Sequence, residues 1–254
     1  MPYRQLVGVG PDGRMVIDDP DPALLAAHEL LTTSAHGIGG EWFSTYLDRG
    51  FTRAGLTAGQ AGYFFEEFTD VARWQKLAGA ASLAAVTTLA GGVVEIAAGI
   101  GDDVIYVVGS GAFGMATLAQ GSQKWYVGGR MRFPVALGAG ATTQLGMASF
   151  TPQVISAGYR QLTDATHFSA MSFIGGGLRT ATSSVLVDAN AHDVELWHNN
   201  GDIFLAVDNE TPVVLPVAAS PSDMLTPYLE VATGGAAGIT QQLDKFLCVF
   251  PQAA

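Results

Sequence analysis

The sequence predicts a mainly β fold, an antiparallel two-sheet sandwich of jelly-roll type, with a short helix-containing segment ahead of it. Three observations predict it. First, the stretch from Asp193 to Pro216 reads as three short strands joined by two tight turns. Val194-Glu195-Leu196-Trp197 alternates, Asn199-Asn200-Gly201 turns, and Ile203-Phe204-Leu205-Ala206-Val207 runs back. Asp208-Asn209-Glu210 turns again before Val213-Val214-Leu215. Asn-Gly between apolar runs is a strong hairpin signal, because both central turn residues must reach positive φ. Second, short β-branched or aromatic runs recur about every ten residues with turn residues between them, the spacing of a sandwich. Third, only 14% of residues are charged and 32 are glycine, which suits many strands and turns better than long amphipathic helices.

The elements follow in chain order. Leu6-Val7-Gly8-Val9 forms a short strand before the turn Gly10-Pro11-Asp12-Gly13, and Met15-Val16-Ile17 pairs back against it. Asp18, Asp19 and Asp21 lack EF-hand spacing for calcium; Asp21 reads as a helix N-cap with Pro22 at the first helical position. That helix runs through Leu24, Leu25, His28 and Leu31 and stops by His36-Gly37. His28 and His36 lie about two helical turns apart, too far for one metal ion, so no metal site is expected. Trp42, Phe43, Tyr46 and Phe51 form an aromatic patch in a Gly-rich setting, either core or a contact surface.

Residues 77–100 are nearly uncharged and long enough to cross a bilayer, but Gly91-Gly92 breaks the run and Glu95 interrupts its apolar half. Val93–Ala97 is read as a strand and no membrane span is expected. Val104–Val108 is a β-branched run. Trp125 to Phe133 is the best alternating strand: Trp125, Val127, Met131 and Phe133 point one way, and Tyr126, Arg130 and Arg132 the other. Gln144–Phe150 is read as its partner strand and residues 151–168 as a longer loop. Met171–Ile174, Val185–Val187, Tyr228–Val231 and Leu243–Phe250 supply further strands. The core candidates are Trp125, Val127, Met131, Phe133, Leu196, Phe204 and Leu205, although Phe204 and Leu205 cannot both face inward on a regular strand.

Composition bounds the partners. The chain has 254 residues, 48% hydrophobic, enough for a large core. Twelve basic against 23 acidic residues give a net charge of −11, and no Lys/Arg stripe appears. Nucleic acid and anionic membranes are therefore poor partners; proteins or neutral small molecules fit better. The single cysteine, Cys248, sits in an apolar run and excludes an internal disulfide framework or a thiolate metal cage. The N-terminus lacks the basic and apolar regions of a signal peptide, so folding in a reducing cytosol is expected.

The order of segments carries a resemblance. Lys124-Trp125-Tyr126-Val127-Gly128-Gly129-Arg130-Met131 is followed by Leu145-Gly146-Met147-Ala148, and a Thr163-Asp164-Ala165 loop by His167–Phe173. Val194–Trp197, a turn, and a strand ending in Val207-Asp208-Asn209 precede Leu225-Thr226-Pro227-Tyr228. Over residues from about 65 to 251 this resembles the concanavalin-like (laminin-G-like) β-sandwich of virion structural proteins of tailed bacteriophages. Asn209 stands where that family often has glycine, and either residue tolerates the turn. The resemblance implies a non-enzymatic virion protein, a capsid decoration or a head or tail fibre component. It also implies location in the virion after synthesis in the host cytoplasm. The implied partners are the major capsid protein or other virion proteins, with homo-oligomers, often trimers, expected by analogy. On this reading residues 1–60 are an N-terminal attachment region with one helix, and residues 61–254 the sandwich. Trp42, Phe43, Tyr46 and Phe51 are then interface candidates, because aromatics are enriched in interface cores; alternatively they cover one face of the sandwich.

No phosphate loop, nucleophile elbow or His-Glu-x-x-His motif appears. A retaining glycosidase needs two carboxyls about 5 Å apart. Glu66-Glu67-x-x-Asp70 lacks that spacing, and Asp193 and Glu195 share a strand face but Asp193 sits at a turn. No enzyme activity and no cofactor are expected. The rival reading is a lectin-like, carbohydrate-binding module in which Trp197, His198, Asn199 and Asn200 present a stacking ring and amides to a sugar.

Overall fold

A computed structural model describes residues 7–9, 15–17, 39–57, 61–68, 71, 73–85, 93–110, 114–115, 118–120, 123–150, 155–174, 177–217, 224–234 and 238–251. Strands β1 (Val7–Val9) and β2 (Met15–Ile17) form the small antiparallel pair expected from the sequence. The turn at 10–13, and the helix expected to start at Pro22 and stop by His36-Gly37 with its His28 and His36, lie outside the described residues. Helix α1 (Gly39–Ala54) follows, then β3 (Ala61–Glu66), β4 (Trp74–Ala78), β5 (Leu83–Ala85), β6 (Val94–Ala98) and β7 (Asp103–Ser110). Two short strands, β8 (Gly114–Met115) and β9 (Ala119–Gln120), precede the long ones. These are β10 (Trp125–Arg132), β11 (Thr142–Phe150), β12 (Ile155–Thr163), β13 (His167–Ile174), β14 (Gly177–Leu186) and β15 (Ala191–Asn199). β16 (Asp202–Val207), β17 (Val213–Pro216), β18 (Met224–Ala232) and β19 (Ile239–Pro251) complete the set.

The architecture is a mainly β, antiparallel two-sheet sandwich. The first sheet runs β17-β16-β15-β10-β19-β6-β5, with β3 also on β19; the second runs β14-β13-β12-β11-β18-β7-β4, with β8 on β7 and β9 on β18. The meander β15-β16-β17 forms as its turn residues dictate. Asn200 and Gly201 adopt φ of 53° and 87°, and Asp208 and Asn209 adopt 49° and 64°. Period-two alternation on β10 sends Trp125, Val127, Met131 and Phe133 into the core between the sheets, with Leu196 and Leu205. Phe204 faces outward and stacks on Trp197, as alternation requires once Leu205 is inside.

Two expectations are corrected. Gln144–Phe150 is not the partner of the Trp125 strand: β10 pairs with β15 and β19, while β11 lies in the opposite sheet beside β12 and β18. The segment over residues 133–141 carries the chain from one sheet to the other. Residues 155–168 are not a loop either, since β12 occupies Ile155–Thr163 and β13 starts at His167. Its inward positions include Tyr159, Gln161 and Thr163, whose polar atoms hid the alternation. Among the described residues no helix is long and apolar enough to cross a membrane, and Val94–Ala98 is a strand.

Helix α1 was not foreseen, although its pattern is regular. Trp42, Tyr46, Gly50 and Ala54 recur every four residues and are all buried, with Phe43, Leu47 and Phe51 half-buried alongside. That stripe lies on the outer face of the first sheet against Tyr126, Trp197, Ala206, Leu247 and Val249. Gly50 marks the closest approach: a Cβ there would meet Tyr126 Cδ1 and Val249 Cγ2 at 2.9 Å. The helix ends in a Schellman motif. Gly55 takes φ of 62°, its N–H donates to the Thr52 carbonyl at 3.1 Å, and the Leu56 N–H donates to the Phe51 carbonyl at 2.9 Å.

Candidate functional site

The two outer faces of the sandwich differ. The first is closed by α1 through a polar network as well as by packing. Glu195 on β15 is fully buried; Arg53 Nη1 lies 2.8 Å and Arg49 Nη1 3.5 Å from its Oε1, and the Tyr126 hydroxyl donates to Oε2 at 2.9 Å. The Trp42 indole donates to Asp193 Oδ1 at 2.8 Å. The Arg53 guanidinium lies over the Trp197 ring at 4.6 Å, and that of Arg49 over Tyr46 at 4.8 Å. Burial raises the pKa of Glu195 despite the opposing Arg53. Burial also pushes up Tyr46 and Tyr126, with the Asp193 and Glu195 carboxylates adding to the shift.

The interface candidates lie at this interface, and of the glycan candidates only Trp197 and Asn199 reach it. Of the interface candidates, Trp42 and Tyr46 are buried against the chain's own sheet and stack on each other, with ring centroids 4.3 Å apart. Phe43 and Phe51 are half-buried beside them. Trp42 and Tyr46 are thus covered in the folded chain, as the alternative of a covering helix requires. The glycan candidates do not converge, because consecutive strand residues point to opposite faces. Trp197 is covered by Arg53 and Phe204 on the outer side. His198 points into the core beside Trp125 and Tyr159, with Nδ1 2.7 Å from the Gln123 carbonyl; burial holds its pKa below the ordinary value. The Asn199 amide donates to the Arg53 carbonyl near the end of α1, and only Asn200, at the turn, is exposed.

The outer face of the second sheet carries an open cleft of about 320 Å³. Its walls are Ala78 on β4, Ile105 on β7, Ile155 on β12 and Phe173 on β13; its polar groups are Asp103, Arg160 and Glu230. Register places them on one face. Glu230 lies opposite Gln144 and Ile105, Arg160 opposite Gly146 and Met171, and Tyr228 opposite Gly146 and Val107. Arg160 is held in place: Nη1 donates to Gln144 Oε1 at 2.7 Å, and Nε–H points at Met171 Sδ at 2.9 Å. The Tyr228 hydroxyl donates to the same Gln144 oxygen at 3.2 Å.

Glu230 is the polar group of this cleft whose hydrogen bonding is incomplete. Its Oε2 is buried with no hydrogen-bond partner among the described residues. Burial raises its pKa, Arg160 opposes the shift and Asp103 reinforces it. A desolvated carboxyl beside a fixed guanidinium, between apolar walls, suits a ligand that offers hydrogen-bond donors on an apolar body. Sequence reasoning missed all of these residues. The available signal was the alternation Gln144-Gly146-Ala148 and Tyr228-Glu230, polar or small residues interleaved with the core positions Leu145, Met147 and Leu229. Among the described residues no cluster of His, Cys, Asp and Glu is arranged to hold a metal ion.

No protein-family model and no curated protein matches the sequence. Similarity to solved structures is extensive at low identity. The chain is similar to a protein of unknown function from Shewanella oneidensis MR-1, with TM-score 0.58 and 12% identity over 77% of this chain and 90% of that one. It is similar to the CBM2 module of the evolved Dit protein of Lactobacillus casei BL23 phage J-1, with TM-score 0.51 and 8% identity over 77% of this chain and 98% of that one. A GlcNAcα1-4Gal-releasing endo-β-galactosidase from Clostridium perfringens gives TM-score 0.53 and 11% identity over 76% of this chain and 63% of that one. The fold is a concanavalin-like β-sandwich, one that binding modules and enzymes share.

Proposed function

We propose that this chain is a non-enzymatic binding domain whose open cleft takes a saccharide. The observation that carries the reading is the buried, unpartnered Oε2 of Glu230 beside the fixed Arg160, walled by Ile105, Ile155 and Phe173. A sugar ring supplies what that arrangement lacks: hydroxyl protons for the carboxylate and a C–H face for the apolar walls. The likeness to a phage carbohydrate-binding module supports the reading. The test is a glycan array probed with the full chain and with Arg160→Ala and Glu230→Gln. Binding that both variants weaken at least tenfold, with the folded state of each confirmed by circular dichroism, is the expected result. No binding, or binding indifferent to both changes, overturns the cleft assignment, and conversion of bound oligosaccharides to shorter products overturns the non-enzymatic part.

The second reading concerns setting: a component of a tailed-phage virion, as a capsid decoration or a head or tail fibre protein contacting the major capsid protein. What favours it is the likeness to the phage Dit module, which the match covers almost in full. On this reading the chain is a homo-oligomer, a trimer by analogy with decoration proteins, made in the host cytoplasm and carried on the particle. Mass spectrometry of purified particles that lack the chain, or light scattering showing a monomer at high concentration, counts against it.

A further inference from the structure

Resting on the reading of the cleft as a saccharide site, we propose that it selects uncharged saccharides and rejects those bearing carboxylate, sulfate or phosphate groups. The argument comes from which hydrogen-bonding capacity is already used. Arg160 is the cation lining the cleft, and two of its donors are committed, Nη1 to Gln144 and Nε to Met171. The Tyr228 proton is directed to the same Gln144 oxygen. Besides the rest of the Arg160 fork, the polar groups left in the cleft are the two carboxyls, which outnumber it in charge. Glu230 keeps a buried Oε2 without a hydrogen-bond partner, and Asp103 accepts the Thr233 N–H with Oδ1 at 3.2 Å, which leaves Oδ2.

Acceptors need donors. A sugar hydroxyl brings a proton to Glu230 or Asp103, whereas an ionised acid brings only further acceptors. Charge acts in the same direction, since the cleft holds two carboxyls against one guanidinium in a chain of net charge −11. An anionic group seated at Arg160 lies among those carboxyls in a partly desolvated space, where like charges are poorly screened.

The test compares matched ligands that differ only in charge, such as β-1,4-mannohexaose and the β-1,4-mannuronate hexamer, on an array of neutral and acidic oligosaccharides at pH 7. The full chain is compared with the double variant Glu230→Gln/Asp103→Asn, and circular dichroism and thermal melting confirm the fold of both. Neutral members are expected to bind at least tenfold tighter than their acidic counterparts, and the double variant to narrow that ratio at least threefold. A preference of the unmodified chain for the acidic members overturns this inference and leaves the saccharide reading standing. So does a ratio unmoved by the double variant. Silence across the whole array overturns the saccharide reading and this inference with it.

Discussion

Removing the guanidinium from Arg53 is expected to destabilise the protein far more than removing the charge from Glu195. Glu195 has no exposed surface, whereas the Arg53 side chain is 20% exposed. Two unit charges about 4 Å apart attract by about 4 kcal/mol at an effective dielectric of about 20. In Arg53→Met the carboxylate keeps the Tyr126 hydroxyl and the more distant Arg49, so the net cost falls to about 3 kcal/mol, at the low end for breaking a buried pair. For a chain of this size that lowers the melting temperature by about 6–12 °C. Glu195→Gln leaves Arg53 near water and costs at most about 1 kcal/mol. The asymmetry depends on pH. The pKa of Glu195 is already raised in the fold, and loss of Arg53 raises it further. A carboxyl raised in the folded state stabilises below its unfolded pKa, and that contribution is lost as pH rises through the folded pKa. The Arg53→Met penalty should therefore shrink on acidification, by up to about 1.4 kcal/mol per pH unit once the unpaired carboxyl titrates. Urea unfolding of both variants and the parent at pH 7.5 and 5.0 measures this. A penalty for Arg53→Met equal to that for Glu195→Gln, or identical at the two pH values, refutes the reasoning.

Gly50→Ala should destabilise by at least about 1 kcal/mol although alanine is the better helix former, because the added methyl meets Tyr126 and Val249; a rise in melting temperature contradicts that close approach. Deleting residues 1–57 should uncover Trp197, Tyr126, Leu247 and Val249 and yield a protein that aggregates or binds a hydrophobic dye; a monomeric, cooperatively melting remainder shows α1 to be a detachable anchor. Cys248 is fully buried and burial pushes its thiol pKa far up, so iodoacetamide should label it only on unfolding; rapid labelling of native protein is the contrary outcome. His198 is held below its ordinary pKa by burial, so the stability it contributes is full above about pH 6.5 and declines as pH falls. His198→Gln should flatten the fall in melting temperature between pH 7.5 and 5.5, and an unchanged slope excludes that role.

The legible parts of the fold were those where one residue type decides the geometry. Asn200-Gly201 and Asp208-Asn209 fix the meander because few residues tolerate positive φ, and the Trp125 strand is fixed by strict alternation. Period two says which face a residue occupies but not which strand lies alongside. Adjacency in sequence therefore suggested β11 as the partner of β10, when the chain between them crosses to the other sheet. Helix α1 was obscured because Gly50 occupies its buried stripe, where the sheet comes closest. The cleft was obscured for a different reason. Gln144, Arg160 and Glu230 sit on separate strands as single polar residues at outward positions, which reads as ordinary solvent exposure until the register sets them side by side.

The position of β19 has a consequence for how the protein is made. Among the described residues it is the last strand in sequence, and it lies in the middle of the first sheet, paired with β10 on one side and with β3 and β6 on the other. It also supplies Leu247 and Val249 to the bed on which α1 rests. During synthesis α1 and the early strands emerge with their permanent neighbours still untranslated, so the first sheet cannot close until residues 239–251 have left the ribosome. Such long sequence separations between contacting segments slow folding and leave strand edges open meanwhile. A ribosome stalled after β18 should therefore hold a protease-sensitive chain, and release of β19 should confer resistance in a single step.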